Sequence, residues 1–199
     1  MIRNYGGIDL STKKSGFALI NEEKELLYLD ILSLKEVIRK TIEYSCVLVG
    51  IDAPLTSPIN GPWRKCDKLL LKMGIPCLPP GAKNFSKLTK TGIYILKELT
   101  KRGIKCIEVY PYATRRRLGI ATKINKKSSG GRKILIREIS RVISDPNGFL
   151  DKSNHHELDA VISAYTAYLT DKGLCQIIGD KEGAIYIPAA PEDVDHATH

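Results

Sequence analysis

The tripeptide Gly-Ile-Asp occurs twice, at Gly7-Ile8-Asp9 and Gly50-Ile51-Asp52, each time closing a short apolar run. A third apolar run, residues 104–109, carries Glu108 near its end. Acids there lie where open α/β sheets bind their ligands, outside the carboxyl ends of the strands. A buried carboxylate must be paired, hydrogen-bonded or held on a metal, because an isolated buried charge costs too much. Any one of these acids could be a turn or cap residue, and Asp52, ahead of Ala53-Pro54, could start a turn. Three of them at three strand ends point instead to a cluster.

The stretch "NHHELDAVISAYTAYL", residues 154–169, reads as a helix and supplies a fourth acid. Leu158, Val161, Ile162, Tyr165 and Leu169 form its apolar stripe. Asp159 flanks that stripe, with His155 four residues and His156 three residues before it. Asn154 and Glu157 have the spacing of a capping box, which accounts for Glu157 but not for Asp159. His155 reads as a surface residue, and His156 as either a surface or a site residue. Ala160, Ser163, Ala164 and Ala167 are small and leave room for a close backbone approach. Clustered hard oxygen ligands suit Mg2+ or Mn2+ rather than zinc. Two such ions about 4 Å apart can activate a water and stabilise the leaving oxygen in phosphodiester cleavage.

The charge balance supplies a possible partner for such a site. The chain of 199 residues has a formal net charge of +9. No Asp or Glu occurs between Val109 and Arg137, where Arg115, Arg116, Arg117, Lys123, Lys126, Lys127, Arg132, Lys133 and Arg137 gather. Charge runs are commonly solvated faces; the sharper reading is a phosphate-binding surface for nucleic acid, DNA or RNA. Its candidate contacts are Arg115, Arg116, Arg117, Lys126, Lys127 and Arg132, together with Lys13 and Lys14 after the first strand and Arg64. Residues 115–133 are expected to flank the acids and to be mobile without ligand; their polar run 126–131 can bury little apolar surface, so its ordering is expected to come from a partner.

The elements that must position these residues follow from periodicity. Residues 5–10, 16–21 and 25–32 read as an antiparallel meander. Leu34, Val37, Ile38 and Ile42 fall at helical spacing. Residues 46–51 suit a strand buried on both faces. Pro54, Pro58 and Pro62 mark a loop, and 63–73 a short helix ended by Gly74. Residues 84–102 read as a helix with Phe85, Leu88, Ile95, Leu96 and Leu99 buried, 104–109 as a strand, and 132–144 as a helix. Two short strands, around 176–178 and 184–187, follow the 154–169 helix. The expectation is an α/β fold: a mixed five-stranded sheet with helices on both faces, an inserted basic helical segment and a short C-terminal strand pair.

Composition agrees with an ordinary globular chain, 43% hydrophobic and 27% charged. Residues 1–191 are expected to form a single domain, with 192–199 a disordered tail. No apolar run reaches membrane-spanning length and no signal peptide is evident, so the cytoplasm is the expected compartment. Five cysteines, none in a Cys-x-x-Cys pair, read as buried reduced thiols. The sequence carries no signal of oligomeric state.

The order of elements and acids resembles the RNase H-like nuclease superfamily, whose sites take an Asp from the first strand, an acid from the fourth and an Asp from the last helix. That resemblance implies Asp9, Asp52 and Asp159 as catalytic metal ligands. The stretch "HHELDAV" resembles the final-helix motif of Holliday-junction resolvases and of the resolvase-like nuclease domain of CRISPR effectors, in which a His or Asp precedes the catalytic Asp by three residues; here it is His156. "GIDLSTKKSGFALI", "GIDAPLT", "RKCDKLLLKMGIPCLPP", "IEVYPYATRRRLG", "HHELDAVISAYTAYL" and "IGDKEGAIYIP" together resemble domain-of-unknown-function family 429, described as predicted nucleases with an RNase H-like fold. Arg64 and Asp67 belong to its pattern, and a surface ion pair one helical turn apart would also explain them. Glu108, also a candidate catalytic residue, has no fixed counterpart among simple RNase H enzymes. The implied function is metal-dependent phosphodiester hydrolysis. Two other readings stand beside it. "GIDLSTKKSGFAL" also resembles the first phosphate loop of the actin and sugar-kinase superfamily, which would imply a nucleotide-phosphate hydrolase. The basic stretch alone would suit a non-catalytic nucleic-acid-binding module.

Overall fold

The computed structural model describes residues 2–190; the expected tail at 192–199 lies outside them. Strands β1 (Asn4–Asp9), β2 (Lys14–Asn21) and β3 (Leu26–Ser33) form the antiparallel meander. Helix α1 (Leu34–Glu43) starts on a capping box made by Ser33 and Glu36. Strand β4 (Cys46–Asp52) then runs parallel to β1. Helices α2 (Lys65–Lys72) and α3 (Ser86–Thr100) lead to β5 (Lys105–Val109), parallel to β4. Helices α4 (Pro111–Leu118) and α5 (Ser129–Ile139) and a short 3-10 turn at Leu150–Lys152 precede helix α6 (His155–Asp171). Strands β6 (Cys175–Asp180) and β7 (Gly183–Pro188) form an antiparallel hairpin.

The sheet has seven strands, in the order β3-β2-β1-β4-β5-β7-β6. The expected count of five fails because the C-terminal pair does not stand apart. Strand β7 lies parallel to β5, Glu108 beside Ile185 and Val109 beside Tyr186. Its pairing covers backbone groups that would otherwise leave β5 an open edge, and its Ile185 and Ile187 pack with Cys66 and Leu70 of α2. Helix α4 also departs from the sequence reading, which assigned no element there. Pro111 at its first turn and Gly119 beyond its end, at φ 69°, explain it. Helix α5 starts earlier and ends sooner than the expected 132–144. The Ser128 hydroxyl caps it, accepting from Gly131 N at 3.1 Å, so part of the 126–131 run forms the first turn of α5.

Helices cover both faces of the sheet. On one, α1 and α3 pack Val37, Ile95 and Leu99 against Ile8, Phe17, Leu19, Val49 and Ile51. On the other, α5 and α6 pack Leu135, Ile139, Leu158 and Val161 against Tyr5, Ala18, Ile20 and Leu48. Helix α6 lies unusually close to its face. A Cβ on Gly7 would overlap the Ala160 carbonyl oxygen and the Ala164 nitrogen, and one on Gly50 would overlap the Ser163 carbonyl oxygen. One on Gly16 would stand 2.5 Å from the His156 carbonyl oxygen. Three neighbouring strands thus present bare backbone to the small residues of α6.

This contact predicts a sharp asymmetry among glycines. Gly7→Ala or Gly50→Ala must push α6 off the sheet, and should cost at or beyond the upper end of the roughly 1–3 kcal/mol typical of overpacking. Gly130→Ala meets nothing within 4 Å, and in the first turn of α5 should be neutral or stabilising by up to about 1 kcal/mol. Denaturant titration of the three variants reads the difference.

Candidate metal centre

Strand alternation and glycine packing together build the site. Gly7 sits beside Gly50, and Asp9 beside Asp52, in the parallel register of β1 and β4. Side chains two residues apart share a face, so both acids project onto the α6 side, one step beyond the glycines that admit the helix. On α6, Asn154 caps the N-terminus by accepting from His156 N and Glu157 N, while Glu157 accepts from Asn154 N at 2.9 Å. The capping box fixes where the helix begins, and so where its fifth residue, Asp159, meets the strand ends.

Asp9, Asp52 and Asp159 each bring a carboxylate oxygen to within 4.8 Å of the others. Asp159 is only 4% exposed, and its Oδ1 is buried with no hydrogen-bond partner among the described residues. Burial pushes the Asp52 carboxyl well above the usual carboxylate range, with the Asp9 and Asp159 charges adding to the shift. Burial and Asp159 likewise push Asp9 up to about 6, against the lowering effect of His156 and Lys126. His156 Nδ1 stands 2.5 Å from Asp9 Oδ2, and the Lys126 ammonium contacts Asp159 Oδ2. Among the described residues one lysine and one histidine face three converging carboxylates, and one buried oxygen has no partner. An all-oxygen donor set of this kind fits a hard divalent cation such as Mg2+ or Mn2+.

Glu108 stands apart from these three. It pairs across the sheet with Ile51, not Asp52, so alternation turns it to the opposite face. There Arg64 grips it, Nη1 to Oε2 at 2.7 Å and Nη2 to Oε1 at 2.6 Å, and Leu55 N donates to Oε2 at 2.8 Å. Arg64 also donates from Nε and Nη2 to Asp67 and from Nη1 to Thr56. All five guanidinium donors are therefore engaged, and Arg64 is 1% exposed. It is neither a surface ion-pair residue nor a free phosphate contact. Arg115 also departs from the expected basic surface. It is buried and donates to the carbonyls of Ile120 and Ala121, closing the turn after α4.

Lys13, Lys14, Arg116 and Lys127 are exposed, and Arg117, Lys126 and Arg132 half-buried. Only Lys126 among them directly contacts the acids in the described structure; nothing in the sequence singles it out from its neighbours. Sequence reasoning also missed a cleft of about 230 Å³ that Asp9 and Asp52 share with Phe85, Leu88 and Tyr110. Phe85, read from the sequence as core, is half-buried in its wall. Tyr110 is held by its hydroxyl, which donates to the Pro76 carbonyl at 2.7 Å. An aromatic residue just after a strand-end acid was the available signal.

A seven-stranded mixed sheet flanked by helices, with acids at the ends of β1 and β4 and on α6, has the RNase H-like fold. The chain belongs to the family described as "Protein of unknown function (DUF429)", whose model matches residues 7–183. Among solved structures it is similar to Thermus thermophilus RuvC in complex with a Holliday junction substrate, at 12% identity and a TM-score of 0.52, over 86% of this chain and 96% of that one. A second Thermus thermophilus RuvC structure matches at 12% identity and a TM-score of 0.47, over 85% and 96%. No curated protein matches the sequence significantly.

Two outcomes follow. Arg64→Ala leaves two buried carboxylates without their cation and should destabilise the protein by about 3–5 kcal/mol, whereas exposed Lys13→Ala should stay within about 0.5 kcal/mol; thermal or denaturant unfolding compares them. For Asp9, the folded pKa of about 6 lies above the ordinary 3.8, so the metal-free folded state binds the extra proton. Its contribution is full below about pH 4 and is lost as pH rises through about 6. In chelator, wild-type stability should fall relative to Asp9→Asn across that window, and millimolar Mg2+ should close the gap.

Proposed function

We propose that the chain is a divalent-metal-dependent nuclease that hydrolyses phosphodiester bonds at Asp9, Asp52 and Asp159. The observation that carries this reading is the convergence of the three carboxylates within 4.8 Å at the strand ends of an RNase H-like sheet. The similar RuvC structure, solved with a Holliday junction substrate, supports a polynucleotide as the ligand. When bound, a pair of Mg2+ or Mn2+ ions supplies an activated water and stabilises the leaving oxygen.

The chain's own residues do the rest. The three carboxylates would hold and orient the ions; burial favours a proton on Asp52 and, below about pH 6, on Asp9, and ion uptake would displace it. His156 steadies Asp9 and, as a half-exposed imidazole, can give or take a proton at the rim of the site. Lys126 supplies positive charge at Asp159 in the absence of ions, and its ammonium could pair with substrate phosphate once ions occupy the carboxylates. Exposed Lys13, Lys14, Arg116 and Lys127, with Arg117 and Arg132, attract the polyanion backbone. Five free thiols and a polynucleotide substrate fit the cytoplasm, and no helix among the described residues is long and apolar enough to cross a membrane.

The test is a cleavage screen with Mg2+ or Mn2+ across single strands, duplexes, hybrids, flaps and four-way junctions. Asp9→Asn and Asp159→Asn should each abolish cleavage and leave polynucleotide binding roughly intact, since Lys and Arg contacts to phosphate carry the affinity. Asparagine keeps the shape of the side chain and loses the charge that holds a hard cation. ATP turnover measured on the same preparations distinguishes the kinase-like alternative: turnover lost in Asp9→Asn, with no polynucleotide cleaved by wild type, overturns the nuclease reading.

A further inference from the structure

The cleft beside the metal centre is not explained by metal binding. Asp9 and Asp52 line it together with the Arg64, Asp67 and Glu108 network; Leu10, Leu78, Pro80, Phe85, Leu88 and Tyr110 supply apolar and aromatic wall. Its volume of about 230 Å³ is below the roughly 300–1,000 Å³ of sites for drug-sized ligands. That is room for one planar ring system, and none for a base pair with its two backbones. Leu78 is 64% exposed at the rim, an apolar side chain left in water beside an acidic centre. Arg64 lies at the cleft, but its five donors are already used by Asp67, Glu108 and Thr56.

We infer that this cleft receives a single unpaired nucleobase of the strand being cleaved, stacked against Phe85 and Tyr110, so that the adjoining phosphate lies over Asp9 and Asp52. The inference rests on the nuclease reading and adds the substrate class: polynucleotide with an unpaired nucleotide at the scission point. Three features favour this occupant. The cleft is continuous with the carboxylates, and a base is joined to its phosphate by one sugar. Aromatic and aliphatic walls bind the face of any base, as in proteins that hold single strands. Lys83, Lys87 and Lys90, all exposed, bracket Phe85 and Leu88 along the chain and offer charge to the flanking backbone. A paired base is stacked within its duplex and cannot enter without being extruded, which costs least where the base is already unpaired. With no guanidinium donor free to read a base edge, the cleft should accept all four bases.

The test uses matched duplexes carrying one bulged nucleotide, the same duplexes with an abasic residue in the bulge, and fully paired controls. Cleavage is followed with Mg2+. Binding is followed in chelator, with 2-aminopurine in the bulge as a fluorescent reporter. Wild type should cleave and bind the bulged substrate better than the abasic and paired ones by about 5- to 150-fold, the range for stacking one base on an aromatic ring. Phe85→Ala should lower binding of the bulged substrate by a similar factor and leave the abasic one unchanged, and Phe85→Trp should restore it. Leu78→Ala, at an exposed position that the fold does not need, should weaken the bulged substrate alone. Equal treatment of bulged and abasic substrates by wild type overturns the inference, as does an equal loss on both in Phe85→Ala. If wild type cleaves nothing, the nuclease reading fails, while the chelator binding arm still decides whether the cleft holds a base.

Discussion

Everything at the site depends on how closely α6 can lie on the sheet. Gly7, Gly16 and Gly50 present backbone where other residues would present a Cβ, and the carbonyls of His156, Ala160 and Ser163 fill the space. Aspartate has a short side chain. Only with the helix pressed onto β1, β2 and β4 can Asp159 come within 4.8 Å of oxygens rooted on the strands. The same contact places His156 against Asp9. A methyl group at Gly7 or Gly50 would move two carboxylate-bearing elements apart, so a packing constraint and an electrostatic one are met by the same residues.

Two opposite electrostatic arrangements stand side by side at the strand ends, lining one cleft. On the α1 and α3 side, Arg64 binds Glu108 and Asp67 with every donor used, and Leu55 N completes Glu108. Such a network is stable as a unit and costly to break at one member. It anchors the chain just after Asp52 through Leu55. On the α6 side, three carboxylates converge with one lysine and one histidine, burial raises the proton affinity of Asp9 and Asp52, and Asp159 Oδ1 has no hydrogen-bond partner among the described residues. Unmet electrostatic demand beside a fully met network is the pattern expected of a site built to take up an ion.

Much of this was legible in the sequence because it is local or periodic. The meander, the buried strand 46–51, the α6 capping box and the acids closing "GID" twice follow from alternation, turn chemistry and cap spacing. The small residues on α6 signalled a close approach, although not the glycines that would meet them. The motif of Glu108 shows a strand-end acid but not its register; one residue of offset against β4 turns it to the other face, where Arg64 holds it beside the cleft of Asp9 and Asp52. Arg64 and Arg115 read as surface charge because a guanidinium's burial depends on carboxylates and carbonyls distant in the chain or brought together by a turn.

The sequence by itself determined most of the elements, though not α4, together with the family pattern and which acids stand at strand ends, since hydrophobic period, caps and turns are set by near neighbours. Only the tertiary structure decided that β6 and β7 extend the sheet, that Lys126 reaches Asp159 while Arg64 and Arg115 turn inward, and that an aromatic cleft opens beside Asp9 and Asp52. Those outcomes depend on strand register and on contacts between residues far apart in the chain, such as Arg64 with Glu108 and Asp9 with Asp159. No periodicity within a single segment encodes them.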